Sequence, residues 1–171
     1  MGYKIKIASV IDDSIVDGPG IRMTVFFQGC KHYCKECFNQ ETRDFNGGHF
    51  CDVDDIYKVA MNNPLLDGIT LSGGDPLYQL EGAYELVKKF ENSGLNIMVY
   101  TGFTFEEILE MKKNNELLQA FLEKIDILVD GTFDVEKKDI SLKFRGSSNQ
   151  RIIDVKKTLS SNSIVLYDLD K

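Results

Sequence analysis

The sequence predicts an α/β fold, a partial and open (β/α) barrel whose sheet is mainly parallel. Three observations predict it. Short apolar strands alternate with helical segments along the chain, the rhythm of a parallel sheet with right-handed crossovers. The βα units are too few for a closed eightfold barrel, which usually takes ~250 residues. Polar and glycine-rich groups fall just after four of the strands, where parallel α/β architectures collect their chemistry. The 171 residues suit a single domain, 1–171, with enough chain to bury a core.

Tyr3–Ser9 and Ile21–Gln28 are apolar runs expected to be strands. Asp52–Asn62 is expected to be a helix, with Asp52 as its cap and Pro64 beyond its end. Gly68–Ser72 is a short strand. Leu80–Glu91 carries Leu80, Ala83, Tyr84, Val87 and Phe90 at helical spacing, and Gly94 stops it. Asn96–Tyr100 is a strand. Thr104 with Glu107 matches a capping box that opens the next helix. Leu117–Glu123 is helical and Ile125–Val129 is a strand. Ile152–Val155 and Ser163–Leu166 are weaker strands, and residues 10–20 and 131–150 are the least regular stretches.

Charge and composition narrow the function classes. Net charge is −7, whereas binding to a phosphate backbone wants a basic face, so nucleic acid is not an expected partner. No apolar run approaches the ~20 residues that span a bilayer. The first residues lack the apolar segment of a secretory signal. The expected location is cytoplasmic, with no membrane partner.

Three of the four cysteines lie within eight residues, in Cys30-Lys31-His32-Tyr33-Cys34-Lys35-Glu36-Cys37. In a cytosolic chain, clustered cysteines point to metal ligation or redox chemistry. A C-x3-C-x2-C loop lets one segment wrap an iron–sulfur cluster. Three thiolates on a four-iron cube leave one iron open to a small molecule. A structural zinc site with Cys51 or His49 as fourth ligand is the competing assignment, but no second cysteine pair is present. Ser72-Gly73-Gly74-Asp75-Pro76 is a second candidate motif. Its glycines permit close backbone approach to a ligand, and a plain strand-to-helix turn would look the same.

The cysteine spacing after an early strand resembles the radical S-adenosylmethionine superfamily. Asp17-Gly18-Pro19-Gly20-Ile21-Arg22 before the loop, and Phe38-Asn39-Gln40-Glu41-Thr42 after it, are similar to the glycyl-radical-enzyme activases. Phe144–Asp154 resembles the branch that serves anaerobic ribonucleoside-triphosphate reductase. The resemblance implies that Cys30, Cys34 and Cys37 ligate a 4Fe–4S cluster. It implies that S-adenosylmethionine is held by Glu36, Cys37, Phe38 and Asn39, by Gly73, Gly74 and Asp75 at its amino group, and by Thr101 and Asp130 near its ribose. Two departures stand out. Glu36 occupies a position that is aromatic in many members, and Asp130 is followed by Gly131 and Thr132 where a lysine often lies nearby.

The resemblance also implies a mechanism. A flavodoxin-like one-electron donor reduces the cluster, the cosubstrate is cleaved to methionine and a 5′-deoxyadenosyl radical, and the radical takes hydrogen from a glycine in a partner loop. That partner is anaerobic ribonucleoside-triphosphate reductase; pyruvate formate-lyase is the alternative. A side chain at Gly74 is expected to weaken cosubstrate binding with little loss of iron. Cys51 is expected to be a free thiol. Arg22 is expected to form an ion pair, with Asp17 as the candidate partner.

Overall fold

A computed structural model describes residues 2–32, 34–35, 37 and 40–169. Its strands are β1 (Lys4–Ser14), β2 (Arg22–Phe27), β3 (His49–Asp52), β4 (Gly68–Gly73), β5 (Asn96–Tyr100), β6 (Ile127–Asp130) and β7 (Arg151–Asp154). Its α-helices are α1 (Val53–Met61), α2 (Leu80–Lys89), α3 (Phe105–Met111), α4 (Glu116–Lys124) and α5 (Val155–Ser161). All seven strands form one sheet in the order β3-β1-β2-β4-β5-β6-β7. The sheet is open. Its four central strands β2, β4, β5 and β6 are parallel neighbours. The flanks are antiparallel, β1 against both β2 and β3, and β7 against β6. The mainly parallel sheet that was expected is found at the centre, and antiparallel strands flank it on both sides.

Alternation along the central strands sorts the core. Met23, Val25, Phe27, Ile69, Leu71, Ile97, Val99 and Leu128 face the helices and pack with Ile56, Leu86, Val87, Ile108 and Phe121. Met98, Ile127, Val129 and Ile152 form a second apolar cluster, covered by Phe144, Tyr167 and Leu169. The helices start where local chemistry allows. Asp52 accepts from the Asp54 N–H at the start of α1, and Thr104 and Glu107 complete the capping box of α3.

Some expectations are corrected. β1 continues to Ser14, through residues expected to be irregular, because it forms a hairpin with β2 that tolerates register shifts and the exposed Asp12 and Asp13. β3 and α5 carry no clear apolar period; α5 buries only Val155 and Thr158. Ser163–Leu166 supplies only an isolated bridge, from Leu166 to Ile153.

Arg22 shows how the Asp17–Arg22 segment supports the fold. Its guanidinium is buried. Nε donates to Thr70 Oγ1 at 2.8 Å, Nη1 to the Pro19 carbonyl at 2.9 Å, and Nη2 to the Ile69 and Asn96 carbonyls at 3.1 and 2.9 Å. Nη2 also reaches Asn96 Oδ1 at 2.8 Å. The expected ion pair with Asp17 is absent among the described residues. Thr70 connects the two instead, accepting from Arg22 and donating to the Asp17 carbonyl at 2.8 Å. Burial lowers the guanidinium pKa to about 10, so it stays charged at neutral pH. Gly68 makes room, since a Cβ there would lie 2.5 Å from the guanidinium carbon. These contacts join the N-terminal ends of β2, β4 and β5, opposite the strand ends where chemistry is expected. Arg22→Met is expected to lower unfolding free energy by about 3 kcal/mol, because several buried acceptors lose their donor. Urea denaturation checks this; a change below about 1 kcal/mol would mean that the bonds are replaced by water.

Candidate functional site

The site begins where β2 ends. Gly29 has φ +113°, and a Cβ there would lie 2.5 Å from the Phe45 ring. The chain turns here because glycine alone fits. The Gly29 N–H donates to the Thr42 carbonyl at 2.6 Å and the Cys30 N–H to the Arg43 carbonyl at 3.1 Å. The cysteine loop is thus tied at its base to the segment that follows it. Gln28 adds two bonds, from Nε2 to the Glu41 and Asp44 carbonyls at 3.1 and 2.7 Å.

Cys30 is buried, while Cys34 and Cys37 are partly buried. Burial pushes the Cys30 thiol up to about 11, the His32 N–H opposes it, and Asp75, Cys34 and Cys37 add to the rise. Burial also raises Cys34, against a hydrogen bond from the Phe133 backbone. The three thiols therefore sit within electrostatic reach of one another, and Cys34 touches the segment after β6. The groups that raise Cys51 are burial, Asp55 and Asp52, with none of the other cysteines among them. Cys51 and His49 lie on β3, separated from β2 by β1. Among the described residues, no three His, Cys, Asp or Glu converge tightly enough to hold a single metal ion, around Cys51 and His49 or in the loop. The donor set fits a cluster better: thiols only, from one loop, and three in number.

The Gly73–Asp75 turn packs directly beneath this loop. The Gly74 N–H donates to the Phe27 carbonyl at 2.7 Å and the Asp75 N–H to the Gly29 carbonyl at 2.9 Å. Gly73, at φ +94°, lies over Phe27, where a Cβ would be 2.5 Å from the Phe27 carbonyl oxygen. Asp75 is fully buried and its carboxylate is saturated. Oδ2 lies 2.7 Å from His32 Nε2 and accepts from Thr101 Oγ1 and the Gly102 N–H, both at 2.9 Å. Oδ1 accepts from the Leu77 N–H at 2.9 Å. His32 also meets the Phe103 ring edge-on at 4.6 Å and the Tyr78 ring at 5.6 Å. Gly102 must lack a side chain, since a Cβ there would lie 2.6 Å from His32 Nε2. Asp75 and Thr101 come together as expected for neighbouring strand ends, but they bond to each other. His32 ties both to the cysteine loop.

Asp130 is also buried. It accepts from the Phe105 N–H at 2.9 Å, capping α3 from outside, and from the Arg151 N–H and Nε at 3.1 and 3.2 Å. Arg151 then reaches Glu106 on α3. Glu36, Phe38 and Asn39 lie outside the described residues.

A cleft of about 550 Å³ opens on this rim, lined by His32, Gly102, Thr104, Asp130, Gly131, Asn149 and Arg151 among others. It contacts the cysteine loop and the ends of β5, β6 and β7. Another cleft, of about 590 Å³, lies around Tyr3, Tyr78, Glu81 and Leu117 and is lined by no residue of the cysteine loop, whereas His32 of that loop lines the rim cleft. Asn149, which lines this cleft, has its Oδ1 shut off from solvent and without a hydrogen-bond donor. Three of these residues escaped sequence reasoning. For His32, its place between two cysteines was the available signal; Asn149 and Arg151 lie within Phe144–Asp154, where the sequence offers only a family resemblance.

Residues 16–153 match the model of a family described as a 4Fe-4S single cluster domain. The chain is 38% identical to an anaerobic ribonucleoside-triphosphate reductase-activating protein of Vibrio cholerae over 146 residues, 81% of this chain and 90% of that one. The protein of that name from Escherichia coli K12 is 36% identical over 150 residues, covering 80% and 90%. That of enterobacteria phage T4 is 31% identical over 145 residues, covering 80% and 86%. Among solved structures, QueE from Escherichia coli overlays more loosely, with a TM-score of 0.45 and 15% identity over 59% of this chain and 54% of that chain.

Proposed function

Because the chain belongs to the family of anaerobic ribonucleoside-triphosphate reductase-activating proteins, we propose that it installs the glycyl radical on that reductase, as an enzyme of the radical S-adenosylmethionine type. The observation that carries this is likeness along nine-tenths of the Vibrio cholerae relative. The site supports it: an all-thiol loop, a glycine turn beneath it, and an adjoining cleft.

Cys30, Cys34 and Cys37 hold the cluster, which fits a loop whose donors are all sulfur. When bound, the 4Fe–4S cluster supplies the electron that parts the sulfonium of S-adenosylmethionine from its ribose carbon, and a 5′-deoxyadenosyl radical results. The residues of this chain do the rest. Cys30 is buried at the base of the loop and anchors it to the core. Gly73, Gly74, Asp75 and Thr101 fix the floor beneath the cosubstrate, and Asp130 and Arg151 fix the wall of the cleft. Glu36, Cys37, Phe38 and Asn39 contribute further contacts to the cosubstrate in this reading. Hydrogen-atom transfer needs no acid–base pair, and the bonding of Asp75 and Asp130 suits positioning better than proton transfer. The open sheet is a partial barrel within a single domain, and it leaves the rim accessible to a glycine-bearing loop of the reductase. The electron comes from a flavodoxin-like donor, and the protein works in the cytoplasm. No helix among the described residues is long and apolar enough to cross a membrane.

The test is anaerobic mixing of the protein, S-adenosylmethionine, a reductant and the reductase, read by electron paramagnetic resonance. A doublet glycyl signal on the reductase, with one 5′-deoxyadenosine per radical, is the expected result. If the reductase stays diamagnetic while pyruvate formate-lyase acquires the radical, the partner assignment fails.

A further inference from the structure

We infer that His32 is a positioning residue for the metal centre: its imidazole, bonded to the buried carboxylate of Asp75, fixes where the Cys30 sulfur stands. This rests on the function proposed above.

The first ground is the bond itself. His32 lies two residues after Cys30 and two before Cys34, yet its Nε2 sits 2.7 Å from Asp75 Oδ2, 43 residues away. The imidazole is 11% exposed and the Asp75 side chain is closed to solvent. A carboxylate only accepts, so Nε2 is the donor. Such a bond is shorter and stronger than one between neutral groups, and at this burial water competes for it little.

The second ground is that both ends of the bond are held. Asp75 Oδ2 also accepts from Thr101 Oγ1 and the Gly102 N–H, and Oδ1 from the Leu77 N–H. The carboxylate therefore keeps its place when the loop moves. The imidazole stands in a slot. Phe103 meets it edge-on at 4.6 Å and Tyr78 lies tilted at 5.6 Å. Gly102 leaves the space that the ring fills, since a Cβ there would lie 2.6 Å from Nε2.

The third ground is the backbone of the same residue. The His32 N–H bonds the Cys30 sulfur and favours its thiolate. One residue thus holds a fixed carboxylate with its ring and a ligand sulfur with its main chain. The Gly29 and Cys30 N–H groups tie the start of the loop to the segment after it; His32 ties it again further along, to the β4 turn. Hydrogen bonds to the sulfurs help set the reduction potential of an iron–sulfur cluster. They stabilise negative charge, which is greater in the reduced state, so a well-aligned N–H raises the potential.

The experiment separates the bond from the packing. Phe at position 32 fills the slot and cannot donate; Gln donates and does not fill it. Wild type, His32→Phe and His32→Gln are loaded with cluster anaerobically. The rate of iron release to excess chelator, the midpoint potential from a redox titration read by electron paramagnetic resonance, and a circular-dichroism melt are measured for each. His32→Phe is expected to release iron roughly five- to tenfold faster than wild type, the effect of one lost hydrogen bond. Its midpoint should be more negative. His32→Gln should stay within about twofold of wild type in iron release, because its amide replaces the donor, with the midpoint unchanged. Equal rates and potentials in wild type and His32→Phe would overturn the inference. So would the opposite order, with His32→Gln the faster to lose iron, because packing and not the bond would then hold the loop. If His32→Phe does not fold, His32→Leu takes its place, and loss of fold in both makes the residue structural and overturns the inference too. Wild type that takes up no iron–sulfur cluster would sink this inference and the proposed function together. Wild type that holds its cluster yet leaves S-adenosylmethionine intact would count against the proposed function alone.

Discussion

Replacing any one of Cys30, Cys34 or Cys37 by Ala is expected to reduce cleavage of S-adenosylmethionine to background. The brown colour and most of the iron should be lost with it. The three thiols come from one loop and influence one another electrostatically. Loading the cluster must displace the protons that burial favours on Cys30 and Cys34, so those thiolates are stabilised largely by the iron they bind. Removing one leaves two, too few to close the loop around a cube. Cys51→Ala is the control. Its thiol sits on β3 with Asp52 and Asp55 as electrostatic neighbours. That substitution should cost about 1 kcal/mol of stability and leave iron and cleavage intact. Iron analysis, the visible spectrum and chromatographic assay of 5′-deoxyadenosine check all four variants. Equal loss of iron in Cys51→Ala would overturn the three-ligand assignment.

Gly74→Ala is expected to lose both iron and cosubstrate binding. The sequence alone suggested a different result, with binding weakened and iron retained. The difference lies in what occupies the space beside Gly74. A Cβ there would overlap the Gly29 carbonyl and lie 2.7 Å from the Thr42 carbonyl. Both are backbone atoms, and the Gly29 N–H is bonded to Thr42 O while the Gly29 carbonyl accepts from Asp75. Neither can retreat alone. Relief requires the base of the cysteine loop to shift, at a cost of about 2 kcal/mol. Iron per chain after anaerobic reconstitution should fall severalfold, and affinity for S-adenosylmethionine should fall with it. Full iron content with weakened binding would show that the turn meets the ligand and spares the loop.

The central strands were legible because they are short apolar runs ending in glycine or polar residues; Asn96–Tyr100 is found with the bounds expected. The capping box of α3 was legible because it depends on two residues three apart. β3 was not, since His49-Phe50-Cys51-Asp52 pairs on one side only and leaves Phe50 exposed. The cysteine loop was visible from spacing, which is local. The role of Asp75 was not, because its partners His32, Thr101 and Gly102 lie 43, 26 and 27 residues away. The same distance in sequence hid the bonding of Arg22 to Asn96 and of Asp130 to Arg151. The motifs singled out these residues but not the protein groups that they bond.

The shared carboxylate of Asp75 has a thermodynamic consequence. Through His32 it answers to the cysteine loop, and through Thr101 and Gly102 to the turn after β5, where Gly102 lines the rim cleft. Two binding equilibria that act on one rigid element are coupled, and coupling is reciprocal. Whatever factor the assembled cluster adds to cosubstrate affinity, the cosubstrate returns as resistance of the cluster to dissociation. On the function proposed above, S-adenosylmethionine is expected to slow the loss of iron from the assembled cluster even when no reductase is engaged, and its removal to hasten that loss.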